Sequence, residues 1–188
     1  MSLELTQNPP AEHPISSLSK PTILLHWAVA VSFLFTFFVG VYLVDLPRGP
    51  EKFELIGLHK SMGVLVLVVA LLRIVWRLKE GKLKPASTLS ALQQKAASAV
   101  HGLLLLATIA MPISGAVMSV AGGRGLDFFS VNLIAKGDKM EGLQSVAHSL
   151  HVNAPYLIYA ILALHLLAVL KHHLIDKDNT LTRMLGKD

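Results

Sequence analysis

The chain has 188 residues, of which 53% are hydrophobic and 15% charged, with a formal net charge of +5. That balance is too apolar for an ordinary soluble domain of this length, and the basic residues flank apolar runs, where they report on topology rather than on a nucleic-acid partner. There are no cysteines, which excludes disulfides, iron–sulfur clusters and any cofactor held by a thiolate or attached through a C-x-x-C-H run.

Residues 1–20 are polar and contain prolines. They lack the apolar core of a cleaved signal peptide, so the first membrane helix is expected to act as the targeting signal. A membrane helix needs about 20 mostly apolar residues to cross roughly 30 Å of hydrocarbon. The first such run extends from Pro21 to Val44, with Pro21 suited to a first helical turn. A short loop, DLPRGPEKFE, leads to a second helix predicted over Leu55 to Leu78. A basic connection follows, then a third helix from Ala96 to Val120 with Pro112 inside it, where a kink is expected. The third loop is Gly-rich and mixed in charge. The fourth helix is predicted over Ser145 to Ile175, with a bend or break near Asn153 and Pro155. Runs such as VLVLVVALL and LLLLATIAM carry no polar stripe, which argues against a soluble or interfacial bundle. The fold class is therefore all-α: an integral membrane four-helix bundle over residues 21–175, between a polar N-terminal tail (1–20) and a polar C-terminal tail (176–188).

Lys and Arg count the orientation. Lys20, Arg77, Lys79, Lys82, Lys84, Lys95, Lys171, Lys177, Arg183 and Lys187 lie on one side. Arg48, Lys52, Arg124, Lys136 and Lys139 lie on the other. The richer side is expected to be cytoplasmic, with both termini. Depth then follows: His26 and His101 fall near the inner surface and His59, His148 and His151 near the outer one. His165 lies past the midplane, and His172 and His173 at the inner edge.

Nine histidines in so apolar a chain call for a function, because an ionisable group inside a membrane helix is costly. His151 and His165 are 14 residues apart, nearly a whole number of turns, so they share a face about 21 Å apart along the axis. Helical bundles build cofactor sites from side chains facing inward on different helices. Depth pairs His59 with His151 and His26 with His165, and each pair can supply two axial imidazoles to a haem iron. Two axial histidines favour electron transfer over oxygen binding. Arg73 shares a face with His59 at the inner level and is suited to haem propionates through its bidentate fork. Arg77 either does the same or snorkels to the interface. His148 rivals His151 but points about 100° away from the face of His165. His101 is open between packing and a quinone or propionate contact, and Trp27 between an interfacial belt and packing on a porphyrin. His13 reads as solvated and His173 as interfacial.

The HW pair of the first helix, GLHKSMG with the distal RIVWRL, MPISGAVMS, and H-x13-H followed by HH and DNTL together resemble the bacterial cytochrome b561 family over roughly residues 20 to 186. Within that family the pattern is similar to the superoxide:ubiquinone oxidoreductases. The resemblance implies a multi-pass inner-membrane protein with two b haems on His26, His59, His151 and His165. It places His172 beside a ubiquinone at the cytoplasmic side. The loops match less well. The expected activity is oxidation of superoxide outside and reduction of ubiquinone inside. A cytochrome b subunit serving a periplasmic dehydrogenase or secreted electron donor is the alternative. A divalent-metal transporter is a poor fit, since few acidic residues lie inside the helices.

Overall fold

The computed structural model describes residues 17–81, 83 and 89–187; His13, Lys82 and Lys84 lie outside them. Four long helices form an up-and-down bundle: α1 Lys20–Asp45, α2 Pro50–Glu80, α3 Ala91–Ala121 and α4 Glu141–Lys171. Each is long and apolar enough to cross a membrane. At 1.5 Å per residue even α1 reaches about 39 Å, so every helix extends beyond the hydrocarbon.

The helix starts follow from local chemistry. The Ser19 hydroxyl accepts the Thr22 N–H at 3.3 Å ahead of Pro21. Ser90 and Gln93 form a reciprocal capping box that starts α3 five residues before the predicted Ala96. Likewise α2 begins at Pro50 rather than Leu55, because a proline is itself a good first helical residue. Helix α4 begins at Glu141 and runs unbroken through Asn153 and Pro155, where a bend or break was expected. Pro155 removes only the hydrogen bond that its N–H would have made to the His151 carbonyl.

Two elements differ from a plain four-helix reading. The third connection contains an antiparallel hairpin, β1 Leu126–Phe128 with β2 Val131–Ile134, in the register Leu126↔Ile134 and Phe128↔Val131. It packs on the outer end of α2, where the Phe129 N–H donates to Ser61 Oγ at 2.7 Å and Lys60 Nζ to the Gly125 carbonyl at 3.2 Å. The C-terminal tail is also structured. Helix α4 continues into a π-helical turn, His172–Asp176, and a short helix α5, Thr180–Met184, folds back beneath α1. Trp27 Nε1 donates to the Met184 carbonyl at 2.7 Å and fixes that fold-back.

Around the bundle α1 packs on α2, α2 on α3, and α3 on α4, whereas α1 and α4 barely approach one another at the backbone. The core cluster is Phe33, Phe37, Val66 and Ile158, with Val41, Ala107, Met111 and Ala154 packed against it. Phe37 also meets Tyr159 edge-to-face at 5.0 Å. Val66 falls between His59 and Arg73 on α2 and Ile158 between His151 and His165 on α4, so the core is an apolar plug at mid-depth. Outward-facing Leu24, Val31, Leu72, Leu106 and Leu167 are exposed. In this fold that surface belongs to lipid.

At the inner end Glu80 accepts hydrogen bonds from Ser19 Oγ and Thr22 Oγ1, and Trp76 Nε1 donates to Thr22 Oγ1 at 3.1 Å. This clasp ties the start of α1 to the end of α2. Hydrogen bonds to a charged acceptor contribute about 1.5–3 kcal/mol. Glu80→Leu is therefore expected to lower the thermal midpoint of the detergent-solubilised protein by several degrees while leaving its far-ultraviolet helix signal unchanged.

Candidate functional site

The outer level is built from α2 and α4, which face each other diagonally. His59 and His151 meet with ring centroids 6.0 Å apart. Each ring is oriented through Nδ1. His59 Nδ1 lies 3.0 Å from the Thr36 carbonyl, and His151 Nδ1 lies 3.1 Å from the Met111 carbonyl and 3.0 Å from Ser114 Oγ. A proton on Nδ1 donated to a carbonyl leaves Nε2 as the free lone pair, the tautomer that ligates a metal. Two nitrogen–metal bonds of about 2 Å each, plus the two ring radii, add to roughly 6 Å. The pair therefore suits one iron held between two imidazoles.

Two glycines make room for these rings. A Cβ at Gly40 on α1 would stand 2.7 Å from His59 Cε1, and one at Gly115 on α3 would stand 2.8 Å from His151 Cε1. No real side chain fits at that distance. Both helices that lack a ligand at this level thus contribute a glycine that lets a ring stand where it does.

The inner level holds His26 on α1, Arg73 on α2, His101 on α3 and His165 on α4. The ring closest to His165 is that of His101, at 5.5 Å between centroids. His26 lies within electrostatic range of both, but its Nδ1 accepts from the Arg73 guanidinium at 3.2 Å. The expected pairing of His26 with His165 therefore does not stand in ring contact, and His101, which had no depth partner in the sequence, acquires one. Arg77 pairs with Glu80 at 3.8 Å, and its Nη1 is buried with no hydrogen-bond partner among the described residues. A buried, unsatisfied guanidinium nitrogen beside Arg73 suits a carboxylate-bearing group at this level.

The remaining histidines separate cleanly. His148 and His173 are exposed. His172 is half-buried, with Nδ1 2.5 Å from Asp178 Oδ2 and 3.4 Å from Asp176 Oδ2. Sequence reasoning missed Asp178 and Gly40. Glycines at the ring level of the ligand-free helices were the available signal, because a backbone must approach closely wherever a ring is wedged between helices.

At the outer end Lys60 lies within electrostatic range of Arg124, Lys136 and Asp127. An open cleft lies between Glu54, Gly57, Lys60 and Ser61 of α2 and Asp127 and Phe129 of the hairpin.

Leucine at Gly40 or Gly115 is expected to push the adjacent imidazole out of line and lower the haem-to-protein ratio of the purified protein by roughly half, read from the pyridine haemochrome spectrum.

The family model of prokaryotic cytochrome b561 matches residues 17–187. Among curated proteins, the chain is 32% identical over 170 residues to cytochrome b561 homolog 2 of Escherichia coli (strain K12), covering 86% of this chain and 87% of that protein. It is 26% identical over 174 residues to cytochrome b561 homolog 1 of the same strain, covering 92% and 99%. It is 30% identical over 132 residues to the probable superoxide oxidase CybB of Yersinia pestis, covering 69% and 74%.

Proposed function

The chain belongs to the prokaryotic cytochrome b561 family, multi-pass proteins of the bacterial inner membrane that bind haem b and transfer electrons, and from that premise we propose that it carries two haems, one at each histidine level, and moves electrons from superoxide outside to ubiquinone inside. The observation that carries the reading is the outer pair: two imidazoles 6.0 Å apart across the bundle, each with Nδ1 committed to a backbone carbonyl.

His59 and His151 are the axial ligands of the outer haem in this reading. For the inner haem the ligands are His26 and His165, and packing supports that choice over His101. A porphyrin needs a slot between the helices that carry its ligands. Helices α3 and α4 pack closely, so His101 and His165 touch as neighbours, whereas α1 and α4 barely approach. Arg73 and Arg77 hold the inner propionates through charge-assisted hydrogen bonds. The haems, when bound, supply one-electron carriage, chemistry that belongs to the cofactor. The protein's part is to hold the rings, fix their tautomer and keep water away with the Phe33, Phe37, Val66 and Ile158 plug.

Orientation follows from the Lys and Arg distribution, with both termini and the inner level cytoplasmic. The outer rim of Lys52, Lys60, Arg124 and Lys136 attracts an anion such as superoxide. The name of the Yersinia relative points the same way. Each superoxide gives up one electron and leaves as dioxygen. Two such electrons and two protons from the cytoplasmic side convert one ubiquinone to its quinol. His172, two turns beyond His165 at the inner edge, stands beside the quinone and passes it protons.

The test is turnover by the purified chain alone, with enzymatically generated superoxide and a soluble ubiquinone analogue. Ubiquinol formation that stops when superoxide dismutase is added agrees with the reading. No turnover, with a second redox subunit co-purifying, favours a role as the cytochrome b subunit of a larger dehydrogenase. Reversing the charge of Lys60 and Lys136 to glutamate is expected to slow haem reduction by superoxide about tenfold at low salt. Reduction by dithionite should be unaffected by the same changes.

A further inference from the structure

The last turn of α4 has an unusual construction around His172. The helix widens into a π-helical turn at His172–Asp176, and Lys177 then adopts a left-handed backbone, φ 50° and ψ 38°. The His172 carbonyl accepts both the Lys177 N–H and the Asp178 N–H, the latter at 3.1 Å. This reversal brings Asp178 back over a residue six positions earlier, which no regular helix does. π-turns of this kind recur at functional sites. Asp178 Oδ2 then stands 2.5 Å from His172 Nδ1, while its Oδ1 accepts the Thr180 N–H at 2.9 Å. Both oxygens of Asp178 are therefore committed, and the carboxylate is locked in place by the start of α5.

A metal site is the first alternative, because ligand atoms of His172, Asp176 and Asp178 lie within 4.8 Å of one another. The local partners argue against it. Asp176 is already neutralised by Lys171, whose Nζ lies 2.8 Å and 2.6 Å from its two oxygens. Asp178 is occupied by the imidazole and by the cap of α5. The carboxylates are thus already engaged by partners within the chain.

We propose that Asp178 is a positioning residue: it holds the proton of His172 on Nδ1, so that Nε2 is the nitrogen that takes a proton from cytoplasmic water and hands it to the quinone oxygen. The inference rests on the quinone reading given above. The step balances simply. Neutral His172, carrying its proton on Nδ1, binds a proton at Nε2, and Asp178 stabilises the resulting cation. Nε2 then releases that proton to the reduced quinone oxygen, and His172 returns to its starting form. Two electrons from the outer one-electron donor and two such protons complete each quinol. A buried carboxylate fixing the tautomer of a proton-transferring histidine is a general device, and its loss is severe because the wrong ring nitrogen carries the proton.

The experiment uses the full-length, haem-loaded protein, reduced with dithionite, freed of excess reductant and mixed with a soluble ubiquinone analogue while haem reoxidation is followed by stopped-flow absorbance. In Asp178→Asn the amide is the same shape but can donate to Nδ1 and reverse the tautomer. The expected result is a maximal reoxidation rate roughly 10- to 100-fold lower in both Asp178→Asn and His172→Ala. The half-saturating quinone concentration should stay within about twofold of the parent, with haem content and reduced spectrum unchanged. A normal rate in Asp178→Asn with a slow His172→Ala overturns the inference and leaves the quinone reading standing. A normal rate in His172→Ala removes the quinone reading and the inference together. Slow reoxidation in Asp178→Asn that comes with lost haem or a weakened quinone affinity makes Asp178 a structural residue and also overturns the inference.

Discussion

The structure depends on how imidazoles are kept inside a hydrocarbon-spanning bundle. A polar ring there costs free energy unless its nitrogens have partners. At the outer level the cost is met by geometry that leaves Nδ1 of each ring bonded to a carbonyl and Nε2 as the free lone pair. The Thr36 and Met111 carbonyls bind Nδ1 of His59 and His151, and Gly40 and Gly115 yield the space the rings need. All four helices take part, two by supplying a ring and two by withdrawing a side chain. A site made this way cannot shift without moving a whole helix, which is what a fixed electron-transfer distance requires.

The two levels differ in how fully they are set. The outer rings are already opposed, whereas the inner level is a crowded group of three imidazoles and one guanidinium, with Arg73 on His26 and His101 against His165. The reason lies in helix packing. Helix α3 lies tight against α4, so His101 is carried to His165 by its backbone, while α1 and α4 barely approach one another at the backbone. Between the levels sits an apolar plug of Phe33, Phe37, Val66 and Ile158. In the proposed reading electrons cross this bundle between the two levels and protons are handled at the inner edge, where His172, Asp178 and the fold-back of α5 are found.

Much of this was legible in the sequence. The four apolar runs gave the four helices, since nothing but a membrane helix satisfies the backbone over such stretches. The 14-residue separation of His151 and His165 gave two levels on one face of α4, because helical periodicity is rigid over that length. What stayed hidden depends on backbone that does not follow a regular period. The hairpin at Leu126–Ile134 turns through Phe129, which has a φ of 52° without being glycine, asparagine or aspartate, so the usual turn signal is absent. Asp178 lies six residues from His172, a spacing that means nothing on a regular helix and becomes a contact only through the π-turn and Lys177. His101 could be given a depth but no partner, because which helices pack closely is decided by tertiary contacts.

The central claim is that two pairs of imidazoles each hold one haem. The most direct measurement is the haem-to-protein ratio of the purified chain together with the spin state of its ferric haems, taken in parallel on the parent and on His151→Ala. Two haems per chain, both low-spin with two nitrogen ligands, and loss or conversion to high-spin of one haem in the variant, is the predicted result. One haem per chain in the parent, or two low-spin haems surviving in His151→Ala, would contradict the account.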